Sequence, residues 1–165
     1  MSILDASVNV GVESVYGTPV TPTRSFEAKA DDWKRAQSRL ESVGFRANMQ
    51  TLRSDRVTTV NMGGAGTIEC DMLTSGMGML LQGTLGTKAG PTQVDATSAY
   101  LQTFETSDSA PADSYTIQII RPLLESGTQQ FTHHGAKITG WGISQSVDGL
   151  LVLTTSFDSE DVDIT

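Results

Sequence analysis

The side chains best able to do chemistry are few in this sequence and are poorly spaced for it. His133 and His134 are adjacent. Consecutive residues of a strand point to opposite faces, so these two make a poor metal pair. The single cysteine, Cys70, excludes an internal disulfide and any multi-thiolate metal site, and we expect it to be a buried core thiol. No Cys-x-x-Cys, His-Glu-x-x-His or EF-hand spacing occurs.

Motifs for nucleophilic catalysis and phosphate binding are also lacking. Residues 142–146, Gly-Ile-Ser-Gln-Ser, lack the final glycine that a nucleophile elbow needs. The glycine clusters at 63–66 and 76–78 match neither a P-loop nor a dinucleotide fingerprint, and no lysine follows to hold a phosphate. We therefore expect no catalytic residue, no metal site and no cofactor, and we predict that the protein is not an enzyme.

Length and composition favour one β-rich domain. The chain has 165 residues, of which 38% are hydrophobic and 6% aromatic, so its core is modest. Threonine favours strands, whereas glycine and serine favour turns, and all three are abundant. No apolar run approaches the length that spans a bilayer, so we expect no membrane association.

Charge is unevenly distributed along the chain. The net charge of −8 argues against wrapping nucleic acid, because phosphate binding needs lysine and arginine. Residues 24–56 hold eight basic residues against five acidic ones, a net charge of +3. Residues 57–165 hold three against twelve, a net charge of −9. The two regions could attract each other between subunits, or both could be ordinary solvated surface.

Two segments lack the pattern of a packed element. In residues 1–24, which we interpret as an N-terminal arm, Pro19 and Pro22 hold the backbone extended. We expect this arm to lie across something else and to be loose without it. Residues 35–55 are long, basic and aperiodic, as in a functional loop. The acidic residues 159–165 are predicted to be a solvated tail.

Periodicity predicts one helix and several strands. Ser75 can cap a helix whose apolar face carries Met77, Leu80, Leu81 and Leu85, and Gly86 can end it. Residues 88–98 and 107–113 are predicted loops. The predicted strands are Ser25–Lys34, Ala65–Leu73, Ala99–Thr106, Ser114–Arg121, Thr128–His133, Lys137–Val147 and Leu150–Asp158.

Asp148-Gly149 predicts a two-residue hairpin turn between the last two strands. With Val147 facing Leu150, apolar side chains fall on both faces of this hairpin. Apolar surface would then have to pack against each of the two faces of the hairpin. Both could lie within one subunit, or one could come from a neighbouring subunit.

Several stretches, in order along the chain, resemble the tail tube (major tail) proteins of long-tailed bacteriophages, particularly those of actinobacterial hosts. These stretches are Val15–Arg24, Leu52–Arg56, Gly64–Glu69 leading into the helix Gly76–Gly86, Gly135–Trp141, and Asp148-Gly149 with the strand to Asp158. The resemblance implies a mainly β fold, a sandwich or barrel with one flanking helix. It also implies hexameric rings with a continuous inner β-barrel, stacked into a conduit for genome ejection.

The resemblance further assigns residues to assembly. The arm, with Tyr16, Pro19, Pro22 and Arg24, would contact neighbouring subunits. The long loop 35–56 would contact adjacent rings through the residues Arg35, Arg39, Arg46, Arg53, Asp55 and Arg56. Glu69 and Asp71 would face the lumen, where negative charge repels DNA phosphates. They could instead face outer solvent. Asp148 and Gly149 would form a structural turn within the single domain 25–158.

The partners implied are further copies of the chain, a tape measure protein in the lumen, the tail terminator and baseplate or tail-tip proteins. Genomic DNA would pass through without specific binding. The protein would reside in the virion tail and be assembled in the host cytoplasm. One alternative is the inner tube of a contractile tail or secretion system, which shares the fold. Another is a monomeric β-barrel binding domain.

Overall fold

The computed structural model describes residues 6–30, 32–41, 57–73, 75–108, 113–123 and 127–165. In these ranges the chain forms antiparallel strands and a short helix. The elements are β1 (Ser7–Val12), β2 (Arg24–Phe26), β3 (Lys34–Glu41), β4 (Val57–Asp71), α1 (Gly78–Leu85), β5 (Gly86–Gln93), β6 (Tyr100–Thr106), β7 (Tyr115–Pro122), β8 (Thr128–Ser144), β9 (Val152–Ser159) and β10 (Asp161–Ile164). The predicted class, mainly β with a flanking helix, is confirmed.

The long strand β8 belongs to two sheets. Its first part, up to Ala136, pairs with β7, and its second part, from Lys137 onward, pairs with β9. The first sheet has the order β2-β1-β7-β8, and β10 also pairs with this part of β8. The second sheet has the order β8-β9-β4-β3. β5 and β6 form a separate two-stranded ribbon.

Alternating residues of both sheets fill one common core. Val8, Val10, Ile117 and Ile119 come from the first sheet, and the helix contributes Leu80. The second sheet contributes Ile68, Cys70, Leu153 and Phe157. The period-two pattern predicted for β4 is confirmed, because its even-numbered side chains Ile68 and Cys70 are buried.

Trp33, which directly precedes β3, extends this core to the point where the two sheets diverge. Its ring centroid lies 4.7 Å from that of His133 and 5.9 Å from that of Phe157. The ring also rests on the backbone of Gly66, where any Cβ would collide with it. Glycine at position 66 is therefore required by the close approach of Trp33.

The bend of β8 is held by a buried carboxylate. Glu13, immediately after β1, is only 7% exposed. Its Oε1 accepts hydrogen bonds from the Gly135 amide at 2.9 Å and the Thr116 hydroxyl at 2.9 Å. Its Oε2 accepts from the Ser114 hydroxyl at 2.7 Å and the Gly17 amide at 3.0 Å. Gly135 has a φ of 62°, a conformation that favours glycine. The residue that accepts this backbone conformation is thus the one whose amide binds Glu13.

The predicted helix exists but begins later than expected. It starts at Gly78, with Met77 at the N-cap position and no side-chain cap, so Ser75 does not cap it. Its end is as predicted: Gly86 has a φ of 101°, and its amide donates to the Gln82 carbonyl.

Two predicted loops are partly strands. β3 occupies the first residues of the loop predicted from residue 35, and β5 occupies much of the loop predicted at 88–98. Nearly every residue of these strands is exposed, so neither shows the alternation by which a half-buried strand is recognised. Residues 42–56, the rest of the first loop, lie outside the described residues.

The hairpin between β8 and β9 exists, but the predicted two-residue turn is wrong. Paired residues end at Ser144 opposite Val152, so residues 145–151 form the connection. Within it the Gly149 amide donates to the Ser146 carbonyl, which places Asp148 and Gly149 in a longer turn. A second irregularity, between Ile138 and Gly140, shifts the register again.

Both chain ends are more integrated than predicted. β1 lies between β2 and β7, so residues 7–12 of the predicted arm belong to the first sheet. The predicted solvated tail forms β10, which pairs with β8 and buries Val162 to 3% exposure. Strand pairing with a distant segment outweighs the acidic composition of the tail.

Replacing Glu13 should destabilise the folded chain. Glu13→Ala leaves four donors without their acceptor, and we expect a loss of about 2–4 kcal/mol in the free energy of unfolding. Glu13→Gln keeps one acceptor oxygen and should lose about half as much. Urea denaturation followed by circular dichroism measures both losses. Glu105→Gln, at an exposed position on β6, is the control. A Glu13→Ala variant as stable as this control would contradict the role of the carboxylate.

Candidate assembly surfaces

The residues first considered for chemistry do not converge. His133 is 2% exposed, with Nδ1 3.0 Å from the Ser159 hydroxyl, whereas His134 Nε2 lies 3.7 Å from Asp163 Oδ2. Among the residues that the structure describes, no group of three or more His, Cys, Asp or Glu side chains could hold a metal ion.

Two buried ionisable groups of the core, the thiol of Cys70 and the phenol of Tyr115, are held in their neutral forms. Burial raises the pKa of the Cys70 thiol, and the neighbouring Asp71 carboxylate raises it further. Burial also raises the pKa of the Tyr115 phenol well above its usual value, with a contribution from Asp113. Tyr115 donates its hydroxyl to the Met79 carbonyl of α1 at 3.2 Å. Both side chains pack in the core, and their burial keeps reagents dissolved in the solvent away from them.

The second sheet has one apolar and one polar face. With the observed register, directly opposed residues form four rows on the face away from the core. These rows are Lys34, Ala65, Asp158 and Lys137; then Thr67, Ser156 and Gly140; then Glu69, Thr154 and Gly142; and then Asp71, Val152 and Ser144. Most are small or polar. The expected mixture of apolar groups on both faces of the β8–β9 hairpin came from the wrong register.

Charges of both signs lie on this polar face. Asp71 forms an ion pair with Lys29, whose Nζ lies 2.5 Å from Oδ1, and both side chains are more than one-third exposed. Glu69 forms no ion pair with any described residue. Lys137 Nζ lies 5.4 Å from the ring centroid of Tyr16. The face is therefore strongly polar but close to neutral overall.

The second sheet has an open edge on each side. On one side, residues 137–144 of β8 extend beyond β7, whose pairing ends at Ala136, and no described strand covers them. On the other side, β3 pairs with β4 and with no other described strand, and all eight of its residues are exposed. Open edges carry unpaired backbone donors and acceptors and can bind another strand.

The two edges carry different side chains. Trp141 and Ile143 of β8 lie on the core side of the sheet. They are nevertheless 49% and 45% exposed. Lys34, Arg35 and Arg39 give β3 a basic edge with long aliphatic stems. Such stems can cover apolar surface while their charged ends remain in water.

The predicted arm residues lie on the surface of their own subunit. The Val20 amide donates to the Thr116 hydroxyl at 3.0 Å, and the Thr23 amide donates to the Val10 carbonyl at 3.1 Å. Tyr16 is 56% exposed, Pro19 is exposed and Pro22 is half-buried, while Arg24 begins β2. This segment is thus attached within its chain and keeps an exposed outer side.

Two of the six predicted loop residues lie within the described residues. Arg35 and Arg39 lie on β3, and the Arg35 guanidinium is 3.6 Å from the Asp161 carboxylate. The remaining four, Arg46, Arg53, Asp55 and Arg56, lie outside the described residues. Glu13 and Trp33 had no short-range signal in the sequence, because most of their contacts come from segments more than 30 residues away.

The described strands therefore form a β-sandwich whose second sheet has an unpaired edge on each side. The family model described as Phage tail tube protein matches residues 4–165. The chain belongs to the phage tail tube protein family. It is a structural subunit of a phage tail tube and so a virion component. The expectation that it is not an enzyme agrees with the structural role of this family.

One solved structure supports the fold. A chain of the anti-feeding prophage baseplate, determined by cryo-EM with six-fold symmetry applied, has a TM-score of 0.50 and 11% sequence identity. That match covers 97% of this chain and 91% of the other. A crystal structure of Hcp protein gives a TM-score of 0.39 and 10% identity over 97% of both chains.

No curated protein sequence matches the chain. Within the described ranges, no helix is long and apolar enough to cross a membrane.

The stability of the subunit should fall at alkaline pH. An acid whose pKa is higher in the folded state adds stability below its unfolded pKa and loses it as the pH rises. For Tyr115 the decline begins near pH 10, at up to about 1.4 kcal/mol per pH unit. Tyr115→Phe should flatten the curve above pH 10, although it costs about 1 kcal/mol at neutral pH through its lost hydrogen bond. Urea titrations from pH 8 to 11 measure this, with the exposed Tyr100→Phe as control. Identical slopes for the two variants would contradict the assignment.

Proposed function

We propose that six copies of this subunit form a closed ring by pairing the open edge of β8 in one subunit with β3 of the next. The observation that carries the proposal is the second sheet, with its two open edges, its even number of strands and its polar face. The rings would stack into the tail tube of a long-tailed phage. The tube would be the conduit through which the genome is ejected.

Strand direction supports this closure. Neighbouring strands of the second sheet are antiparallel, so β3 and β8 at its two edges run in opposite directions. Rotation about a ring axis preserves strand direction. The β8 edge of one subunit therefore meets the β3 edge of the next as an antiparallel pair, the geometry that these strands already use. Closure would leave no exposed edge in this sheet.

The dimensions agree with a channel for DNA. Six copies with four strands each give a barrel of roughly 24 strands. At about 4.8 Å spacing and about 40° tilt, its circumference is about 150 Å and its backbone diameter about 48 Å. Inward side chains reduce this diameter by about 10 Å, which leaves room for a duplex.

The polar face of the second sheet is the proposed wall of the lumen. It carries Glu69 and Asp71, the residues expected to face the channel, beside small hydroxyl and glycine residues. Lysines on the same face and the Lys29–Asp71 ion pair make the wall polar rather than strongly acidic. Such a wall offers DNA neither an apolar surface nor a basic track, so the duplex would slide without specific binding.

Further proposed partners follow from this role. A tape measure protein would occupy the lumen during assembly in the host cytoplasm. The terminator would bind one end of the tube and baseplate or tail-tip proteins the other. A neighbouring gene for a sheath protein would favour the contractile-tail alternative.

Charge substitutions at the β8 edge should distinguish lateral pairing from unrelated association. Because the β3 edge is basic, Ile143→Lys should repel it and abolish rings and tubes, whereas Ile143→Glu should assemble more readily than Ile143→Lys. Negative-stain electron microscopy and native mass spectrometry of protein seeded with tail tips measure both. Leu123→Lys, at an exposed position near the β7–β8 turn, is the control. Normal tubes from Ile143→Lys would exclude this edge from the interface.

A lysine in the lumen should retard DNA. Phage carrying Glu69→Lys should assemble tails of normal length but release DNA several-fold more slowly, because six added cations per ring attract phosphate. Fluorescence of released DNA measures the rate, and raising the salt concentration should reduce the difference. Glu105→Lys, on the separate ribbon, is the matched control. Unchanged release from Glu69→Lys would remove this residue from the lumen.

A further inference from the structure

The two open edges of the second sheet are matched in length. β3 presents the eight residues Lys34–Glu41, and the part of β8 beyond β7 presents residues 137–144. Each strand also has one irregularity in its pairing, between Ser38 and Arg39 for β3 and between Ile138 and Gly140 for β8. Two antiparallel edges of equal length can pair throughout in a single register.

Within one subunit the two edges extend in opposite directions from a common row. This row consists of Lys34, Ala65, Asp158 and Lys137, which oppose one another across the four strands. From it, β3 runs towards one end of the sheet and β8 runs towards the other end. Without displacement along the strands, the next subunit would therefore bring its β3 to the part of β8 before Lys137, which β7 already covers.

The two faces of the sheet restrict the displacement to an even number of residues. An odd number would place polar-face residues of one subunit opposite core-side residues of the next, because side chains alternate along a strand. The polar-face residues at the two edges are Lys34, Ala36 and Ser38 on β3 and Gly140, Gly142 and Ser144 on β8.

Backbone hydrogen bonds impose the same condition. The amide of Thr67, on the polar face of β4, donates to Asp32 on the β3 side at 2.7 Å. The amide of Met72, on the core side, donates to the Leu151 carbonyl on the β9 side at 2.8 Å. Carried across the sheet, this alternation directs the amides and carbonyls of core-side residues out of both open edges. These core-side residues include Arg35 and Gln37 on β3 and Trp141 and Ile143 on β8.

The geometry of a closed barrel narrows the choice further. With four strands per subunit, a displacement of four residues moves each strand by about 3.3 Å relative to a neighbour about 4.8 Å away, a tilt of about 35°. Six residues give a tilt of about 45°, and eight give about 55°, which is steeper than closed barrels typically adopt. A displacement of four residues pairs only part of the two edges, whereas six residues pair them over their full length.

We infer that each subunit of the ring is displaced by six residues along the strands relative to its neighbour, which places Gly142 of one subunit opposite Ala36 of the next. In the same register Gly140 lies opposite Ser38, and Ser144 lies opposite Lys34. This inference rests on the ring proposed above. It assigns the residues of the two copies that meet, and it uses β3 for this one contact.

On the polar face, this register brings small residues together. Gly140 and Gly142 have no side chains, and the residues opposite them, Ser38 and Ala36, have short ones. Strands can therefore approach closely, and no bulky group projects into the lumen from the middle of the contact.

On the core side, the register gives the exposed Trp141 a set of partners. Gln37 of the next subunit lies opposite it, and Arg35 and Arg39 are its diagonal neighbours, within reach of long side chains. The Arg39 guanidinium donates to Gln37 Oε1 at 3.4 Å, so these two side chains lie on the same face. Arginine stems can cover the indole ring, and a guanidinium over its face adds a cation–π contact.

Engineered disulfides test the register. Gly142→Cys combined with Ala36→Cys should cross-link neighbouring subunits into a ladder that ends at the covalent hexamer, because directly opposed Cα atoms lie about 4.5 Å apart. Within one subunit two strands separate these positions by about 14 Å, so every such disulfide joins two copies. A Cβ at Gly142 meets no other atom within 4 Å. The native Cys70 is buried, so wild-type protein should not cross-link.

Pairs shifted by two residues are the matched controls. Gly142→Cys with Lys34→Cys reports a displacement of four residues, and Gly142→Cys with Ser38→Cys reports one of eight. Gly140→Cys with Ser38→Cys is the second pair expected to react. Tubes are grown from tail tips under reducing conditions, checked by electron microscopy, oxidised and analysed by non-reducing gel electrophoresis. We expect both predicted pairs to cross-link about tenfold faster than the shifted pairs.

The outcomes separate this inference from the ring proposal. Covalent hexamers from the two predicted pairs, with little product from the shifted pairs, support the displacement of six residues. Faster cross-linking of a shifted pair, or no cross-linking of either predicted pair, overturns it, whereas hexameric rings seen by electron microscopy would still support the ring proposal. If wild-type protein seeded with tail tips forms no rings, both proposals fall.

Discussion

The fold depends on the bend at which β8 leaves one sheet and enters the other. Glu13 fixes that bend by accepting hydrogen bonds from the Gly135 amide and from residues at the start of β7. A buried carboxylate is tolerated only when donors satisfy it, and here four do so. Beyond the bend β8 loses β7 as a neighbour. The second half of β8 is therefore left with β9 as its described neighbour and with an unpaired edge, which in the proposed ring would pair with another subunit.

Different segments of the chain form the core and the open edges. In a solitary subunit, the core is complete without β3, and of the second half of β8 only Ile138 packs against it, since the exposed Trp141 and Ile143 do not belong to it. These segments are ordered by single-sided strand pairing, which is weaker than burial between two neighbours. A subunit built in this way can fold before it polymerises. Its unpaired strand edges and exposed apolar side chains would then be buried only when subunits polymerise.

The sequence predicts those parts of the fold in which burial produces periodicity. Ile68 and Cys70 alternate with polar residues because one face of β4 covers the core, and Gly86 ends α1 as expected. β3 and β5 were missed because strands exposed on both faces have no hydrophobic period. The register of the β8–β9 hairpin was misjudged because a seven-residue connection replaces the expected tight turn. Long-range contacts such as those of Glu13 leave no local pattern at all.

The corrected register changes what the second sheet can do. With a two-residue turn, apolar groups would lie on both faces, and a channel wall would be partly hydrophobic. The irregularity between Ile138 and Gly140 instead sends Trp141 and Ile143 to the core side, while Gly140 and Gly142 lie on the polar side. One displaced residue thus separates a smooth polar face from an apolar edge. In the proposed ring, side chains of the channel wall and side chains of the contact between subunits would then lie on one strand, because the pleat keeps them on opposite faces.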